Sequence, residues 1–210
     1  MQSAAPLRNY CRPGLAVASP ELRATPKPKM YTSQAELAMG LPPRIAALLL
    51  FLLAGGEDVL SLRGEKAVVL LFVRTDCPIS NRYAPEIERL SQTYSRHGIR
   101  FYLVFSESGV TTENLNRHRK EYGYTIPSVV DTGRRYVLLA GVKITPEAAV
   151  FVQRRLLYRG RIDDRFVDLG KTRPKPLRHD LEDVLAAVSA GNQLEFRETP
   201  PIGCAIEGMQ

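Results

Sequence analysis

Apolar positions in this chain follow two rhythms, and the change between them is sharpest near residue 77. After Lys66 the sequence runs Ala-Val-Val-Leu-Leu-Phe-Val without a polar break, then stops at Arg-Thr-Asp-Cys77-Pro-Ile-Ser-Asn81. A short continuous run of β-favouring residues reads as a strand covered on both faces, as in a parallel sheet. Beyond it the period lengthens to that of a helix. Tyr83, Ile87, Leu90 and Tyr94 form one apolar face over roughly residues 80–97. Pro85 falls inside that pattern and is expected to kink its first turns, and Gly98 to end it. Cys77 is thereby placed in the turn between a central strand and the start of a helix. Unpaired backbone N–H groups and the helix dipole favour a thiolate there. Asp76 beside it and the apolar strand behind it act in the opposite sense.

The same reading carries down the chain. Val59, Leu60 and Leu62 offer an edge strand within the lead-in 58–64, and residues 99–106 a second long strand. A helix is expected over about 113–122, with Thr111 or Thr112 as its N-cap and Gly123 at its end. Residues 127–131 predict a short strand, 134–140 one or two helical turns, and 147–152 with 155–159 a hairpin turning near Gln153. A polar loop spans 162–177. A last helix runs from Arg178 or Asp180 to Ala190, with Leu181, Val184, Leu185 and Val188 on one face. The alternation of strands and helices predicts an α/β sandwich, a mixed central sheet with helices on both faces.

Residues 1–43 carry seven prolines and no periodicity, and Arg44 then precedes the ten apolar residues 45–54 and Gly55-Gly56. Ten residues fall short of the ~20 needed to span a bilayer, so no integral membrane span is expected. A basic residue, a short apolar core and small residues describe a secretory signal peptide, here 39–56. Translation is expected to begin at Met39 or Met30, with 1–38 a disordered or mis-assigned extension. The alternative is a hydrophobic helix packed on the domain. Export, to a periplasm or outside the cell and with or without an uncleaved signal as tether, would place the cysteines in an oxidising compartment.

Charge changes this picture little. The net +7 divides into six basic and two acidic residues over 1–54, and 23 basic and 20 acidic over 55–210. No aromatic-spaced basic stripe exists, so nucleic acid is not an expected partner. Three cysteines exclude a disulfide-dense mini-scaffold and leave one bridge, or one reactive thiol with a partner.

Four motifs in this order resemble the thioredoxin superfamily, specifically its redoxins, the alkyl-hydroperoxide-reductase/thiol-specific-antioxidant group and the exported thiol-disulfide proteins. They are the strand into Asp76-Cys77-Pro78-Ile79-Ser80, then Ile126-Pro127-Ser-Val-Val-Asp131, then Gly141-Val-Lys-Ile-Thr145-Pro146-Glu-Ala-Ala-Val-Phe151, and Tyr158-Arg-Gly-Arg-Ile-Asp-Asp164. The resemblance implies a thioredoxin-like domain over 57–192, followed by a C-terminal tail, 193–210. It also implies a cis Pro146 facing Cys77, with Thr145 presenting its backbone to a substrate and Pro78 beside the sulfur.

Departures from the family pattern shape the functional expectation. Ser80 stands where a thioredoxin has its second cysteine, so the motif cannot close its own disulfide. Leu70 and Arg74 stand where a peroxiredoxin has proline and threonine, which weighs against peroxidase chemistry. Thr75 or Arg74 would there hydrogen-bond a peroxide oxygen. Cys204 is the candidate partner or resolving thiol for Cys77, through a disulfide formed after Cys77 oxidises to sulfenic acid. A permanent bridge or a free thiol in a mobile tail are the alternatives, and Cys11 lies in the 1–38 extension.

The expected function is that of a thiol-based oxidoreductase without a cofactor, exchanging disulfides with a protein or thiol reductant, or reducing a small hydroperoxide. The alternative is a non-catalytic thioredoxin-fold module that binds a partner or copper. The copper reading wants a second cysteine at position 81, which is Asn. His97, His118 and His179 read as solvated, and Arg159, Arg161, Asp163, Asp164 and Arg165 as surface ion pairs of little weight.

Overall fold

The computed structural model describes residues 58–209, within the compact unit Gly55–Gln210. The expected extension and signal peptide, with the alternative helix at 45–54, lie outside the described residues. No helix among the described residues is long and apolar enough to cross a membrane.

Strand β1, Ala67–Val73, is the axis of the molecule, and none of its seven residues is more than 1% exposed. Val69, Leu71 and Val73 face one layer while Val68, Leu70 and Phe72 face the other, which is why the strand has no polar alternation. It pairs in parallel with β2, Ile99–Phe105, which pairs in parallel with β3, Ser128–Val130. On its other side it pairs antiparallel with β5, Glu147–Val152, the first arm of a hairpin with β6, Arg155–Gly160. Gln153 and Arg154 make the turn, both at positive φ. The main sheet is completed by β9, Arg197–Glu198, in the order β3-β2-β1-β5-β6-β9.

Helices α1, Pro78–Ser95, α2, Thr112–Glu121, and α4, Asp180–Ser189, contribute to the core on one face. The short α3, Arg135–Ala140, packs on the other. Tyr83, Ile87, Leu90 and Tyr94 of α1 are buried as their spacing requires, and the Thr111 hydroxyl caps α2 by accepting from Asn114 N at 3.2 Å. Four expectations give way. The lead-in is a turn, with Ser61 N and Leu60 N donating to Asp58, and Leu60 reaches the core without pairing as a strand. The loop after β6 contains a small ribbon of β7, Phe166–Asp168, and β8, Lys171–Thr172.

Asp163 and Asp164 are buried rather than surface partners. Tyr83 donates its hydroxyl to Asp163 at 2.5 Å, and the Asp164 carboxylate accepts from the backbone of Leu177 and Arg178 at 2.6 and 3.0 Å. Loops that return across a sheet end must satisfy their own backbone, and these carboxylates do so. Finally, the C-terminal tail is part of the fold. It contributes β9 to the main sheet and β10, Cys204–Ala205, which pairs antiparallel with β4, Ile144–Thr145.

Candidate active site at the Cys77–Cys204 bridge

Cys77 is the N-cap residue of α1, with Pro78 at the first helical position, where a missing N–H costs nothing. Its sulfur is joined to Cys204 in a disulfide, the two Cα atoms 6.2 Å apart across 127 residues of chain. The Thr145–Pro146 peptide is cis, and the Thr145 carbonyl oxygen lies 3.4 Å from Cys77 Sγ. In the bridged state this sulfur carries no proton and the approach is a contact. Reduction would turn it into an S–H donor to that carbonyl. Cys77 and Thr145 are both 0% exposed, whereas Cys204 keeps partial exposure.

Cys77 belongs to the apolar core, and the chain's own C-terminal segment closes on it through the bridge and β4. Cys204 pairs with Thr145 and Ala205 with Ile144, Thr145 Oγ1 donates to the Cys204 carbonyl at 3.3 Å, and Ile206 N donates to Lys143 O at 2.8 Å. Ile206 is buried in the core on the α3 face. Arg74, three residues before Cys77, donates from Nη1 to the Ala205 carbonyl at 3.1 Å while its Nε and Nη2 hold Asp76 at 3.0 and 2.9 Å. The Asp76 charge is thus drawn outward into an ion pair. Gly203 passes so close to β4 that a Cβ there would collide with the Thr145 carbonyl oxygen. Upstream, Thr199 N donates to Arg159 O, and the Thr199 hydroxyl meets Tyr158 OH at 2.6 Å. Cys204 is therefore anchored on both sides. The alternative of a free thiol in a mobile tail does not hold.

The other side of the turn is polar and closed on itself. Thr75 donates its hydroxyl to Glu107 Oε1 at 2.6 Å and its N–H to Oε2 at 3.1 Å. Asn81 Nδ2 donates to Thr75 O at 3.1 Å, and His118 Nε2 meets Asn81 Oδ1 at 2.9 Å. An amide oxygen can only accept, so Nε2 carries the proton and Nδ1 is the bare nitrogen, which has no partner. His118 is 5% exposed, packed among Phe105, Tyr122 and Tyr124, and burial holds it below its ordinary pKa. It is not the solvated histidine that its place in a polar stretch predicts. Only the i+3 spacing from Leu115, the other buried residue of α2, hints at the inward face. His97 and His179 are exposed. Beside the turn a hollow of about 260 Å³ is lined by Arg74, Thr75, Asp76, Glu107 and Glu207 among others.

Glu147, directly after Pro146, is buried and accepts from Lys143 N and Ile144 N at 3.3 and 3.4 Å. Burial pushes its carboxyl up to about 7 against the pull of those N–H groups and Arg159. It holds in shape the loop that meets β10. Sequence reading passed over Glu147, Arg74's grip on Ala205, and Gly203. The apolar run Cys204-Ala205-Ile206 after Gly203 was the available signal for a short strand.

Elsewhere, Glu86, His179 and Glu182 bring ligand-type atoms within 4.8 Å of one another, but Arg89 already bonds both carboxylates at 2.6–3.0 Å. That group is an exposed ion network.

No family model and no curated protein matches this sequence. Solved structures do match. A hypothetical protein from Sinorhizobium meliloti aligns at 25% identity and TM-score 0.58, covering 68% of this chain and 80% of that one. An uncharacterized conserved protein from Geobacillus kaustophilus aligns at 23% and 0.58, over 69% and 78%. A thioredoxin-like protein solved in its oxidized form aligns at 17% identity and 0.47, over 66% and 88%.

Three parallel strands, an antiparallel hairpin entered through a cis-proline, and a cysteine at the β1–α1 turn define the architecture. This is a thioredoxin-like fold. Within it, Cys77 holds the sulfur position at the helix start, Ser80 leaves that helix without a second sulfur, and the second sulfur arrives from the C-terminal strand.

Proposed function

We propose that the protein is a thiol-disulfide redox protein cycling between the Cys77–Cys204 disulfide and the corresponding dithiol. The observation that carries this is the meeting of both sulfurs at the helix start, against the strand that precedes the cis-proline. The exchange is balanced as the disulfide plus two thiols of a partner giving two cysteine thiols plus the partner's disulfide. Cys77 and Cys204 carry the electrons, Thr145 and Pro146 with Pro78 shape the surface around them, and no cofactor is required.

A protein dithiol or disulfide is favoured over a hydroperoxide as the reacting class. Thr75 spends its hydroxyl on Glu107 and Arg74 its guanidinium on Asp76 and Ala205, leaving neither directed at a peroxide oxygen. Export through the 39–56 segment belongs to this proposal, since an oxidising compartment would fill the disulfide state. Mapping the N-terminus of exported protein tests it, with cleavage near Gly55-Gly56 expected.

The catalytic reading is tested by turnover of a model disulfide and of hydrogen peroxide, with Cys77→Ser and Cys204→Ser alongside. Disulfide exchange above the level of either variant supports it. Equal rates in all three proteins remove both cysteines from any mechanism. One observation favours a second reading, a permanent staple: Cys77 has no exposure at all. In that case the bridge would serve stability alone, about 4–5 kcal/mol for a loop of this length in the chain-entropy model.

A further inference from the structure

In a disulfide the two sulfurs are not equivalent targets, and the surroundings of this bridge separate them. An incoming thiolate must approach the attacked sulfur in line with the S–S bond, from the side away from the leaving sulfur, and access selects which one is attacked. Around Cys77 that approach is filled. The residue is 0% exposed and belongs to the apolar core with Val73 and Ile79, with the Thr145 carbonyl against its sulfur. Cys204 is on a two-residue strand at the protein surface and keeps partial exposure, while Ala205 beside it is exposed.

We infer that external redox partners react at Cys204, not at Cys77, so that the C-terminal strand is the molecule's outward-facing redox element and Cys77 the internal electron store. This rests on the redox reading given above and assigns its order of events. A partner thiol loses its proton to solvent and attacks Cys204 Sγ. The new S–S bond joins the partner to Cys204, the Cys77–Cys204 bond breaks, and its electron pair leaves on Cys77 Sγ. The departing thiolate sits at the α1 N-terminus, where the helix dipole favours negative charge. The partner's second thiol then loses its proton, attacks its own sulfur in the mixed disulfide and releases Cys204 as a thiolate. Cys204 and Cys77 each take up one proton, which balances the two the partner gave up.

The strand's anchors make the cycle reversible. Pairing with β4, the Arg74 bond to Ala205 and the buried Ile206 do not depend on the S–S bond. They keep the Cys204 sulfur beside Cys77 after it breaks. The partner fitted to this arrangement is a small thiol, or a protein dithiol presented on an exposed turn able to reach a surface strand.

The test uses the full chain with Cys11→Ser, so that only this pair can react. The oxidised folded protein is mixed with 2-mercaptoethanol, quenched with acid at early times, alkylated with N-ethylmaleimide and mapped by peptide mass. The expected result is mercaptoethanol on Cys204 with maleimide on Cys77, in at least tenfold excess over the reverse arrangement. Mercaptoethanol on Cys77, or an even split, overturns the assignment while leaving the redox reading standing. No adduct on either cysteine until denaturant is added overturns both. A second measurement needs no bridge. In folded protein, Cys204 of the Cys77→Ser variant should be alkylated at least tenfold faster than Cys77 of the Cys204→Ser variant. Equal rates, or a faster Cys77, contradict the assignment.

Discussion

Gly203 marks the tightest approach between the C-terminal segment and the cis-proline loop. A methyl group there would meet the Thr145 carbonyl, which is backbone and cannot rotate away. Gly203→Ala is expected to cost about 1–3 kcal/mol, as overpacking does, and to make the Cys77–Cys204 bridge easier to reduce. Urea denaturation and thiol titration of the variant check both; unchanged values would mean that the strand shifts freely. Glu147 supplies a pH dependence of known sign. Its folded carboxyl titrates near 7 because it is buried, against an ordinary 4.5. Between those values the folded state keeps a proton that the unfolded chain has lost, so stability falls as pH rises from about 4.5 to 7. The shift corresponds to about 3 kcal/mol. Glu147→Gln should flatten that slope in melting temperatures measured over this range. At this scale Cys77 and Cys204 were readable because cysteine carries its chemistry in its identity, whereas Thr145 and Pro146 came only from the resemblance in motif order. It could not show which polar groups turn inward. His118, Asp163 and Asp164 are ordinary surface residues by type, and only the packing of loops across a sheet end buries them.

At the scale of elements, β1 and α1 were legible because one period dominates each. Seven apolar residues with no alternation can only be covered on both faces, and Leu71, at 1% exposure, is representative. Leu71→Ala should destabilise by about 2–5 kcal/mol in denaturant titration; a loss below 1 kcal/mol would mean that the strand is not the core. The elements missed were those too short for any period, β4 and β7 to β10. Their stability comes from polar anchors instead. Asp180, at the start of α4, takes Arg161 at 2.7 Å and Arg197 at 2.6 Å, tying the strand before Thr199 to the helix. Asp180→Ala removes a buried acceptor from two charged donors that remain partly solvated, so about 1–3 kcal/mol is expected. A larger share should be lost from protection of 197–206 in hydrogen exchange than from β1.

For the whole molecule, the alternation of strands and helices was enough to give the sandwich, and the motif order its thioredoxin-like form. What the pattern did not contain was closure. After the last helix, α4, the chain returns, adds β9 to the sheet edge and pairs β10 with β4. That return joins residues 127 positions apart, a separation that no local rhythm encodes. The same return bears on both the redox and the staple readings, since it supplies the second sulfur and pairs with the strand whose carbonyl lies against the first. The measurement that separates them most directly is equilibration of the folded protein across ratios of reduced to oxidised dithiothreitol, with the bridge followed by intact mass and the fold by circular dichroism. The account predicts a reversible two-electron transition of Cys77–Cys204 with the circular dichroism spectrum preserved. A bridge that stays closed until the protein unfolds would contradict it.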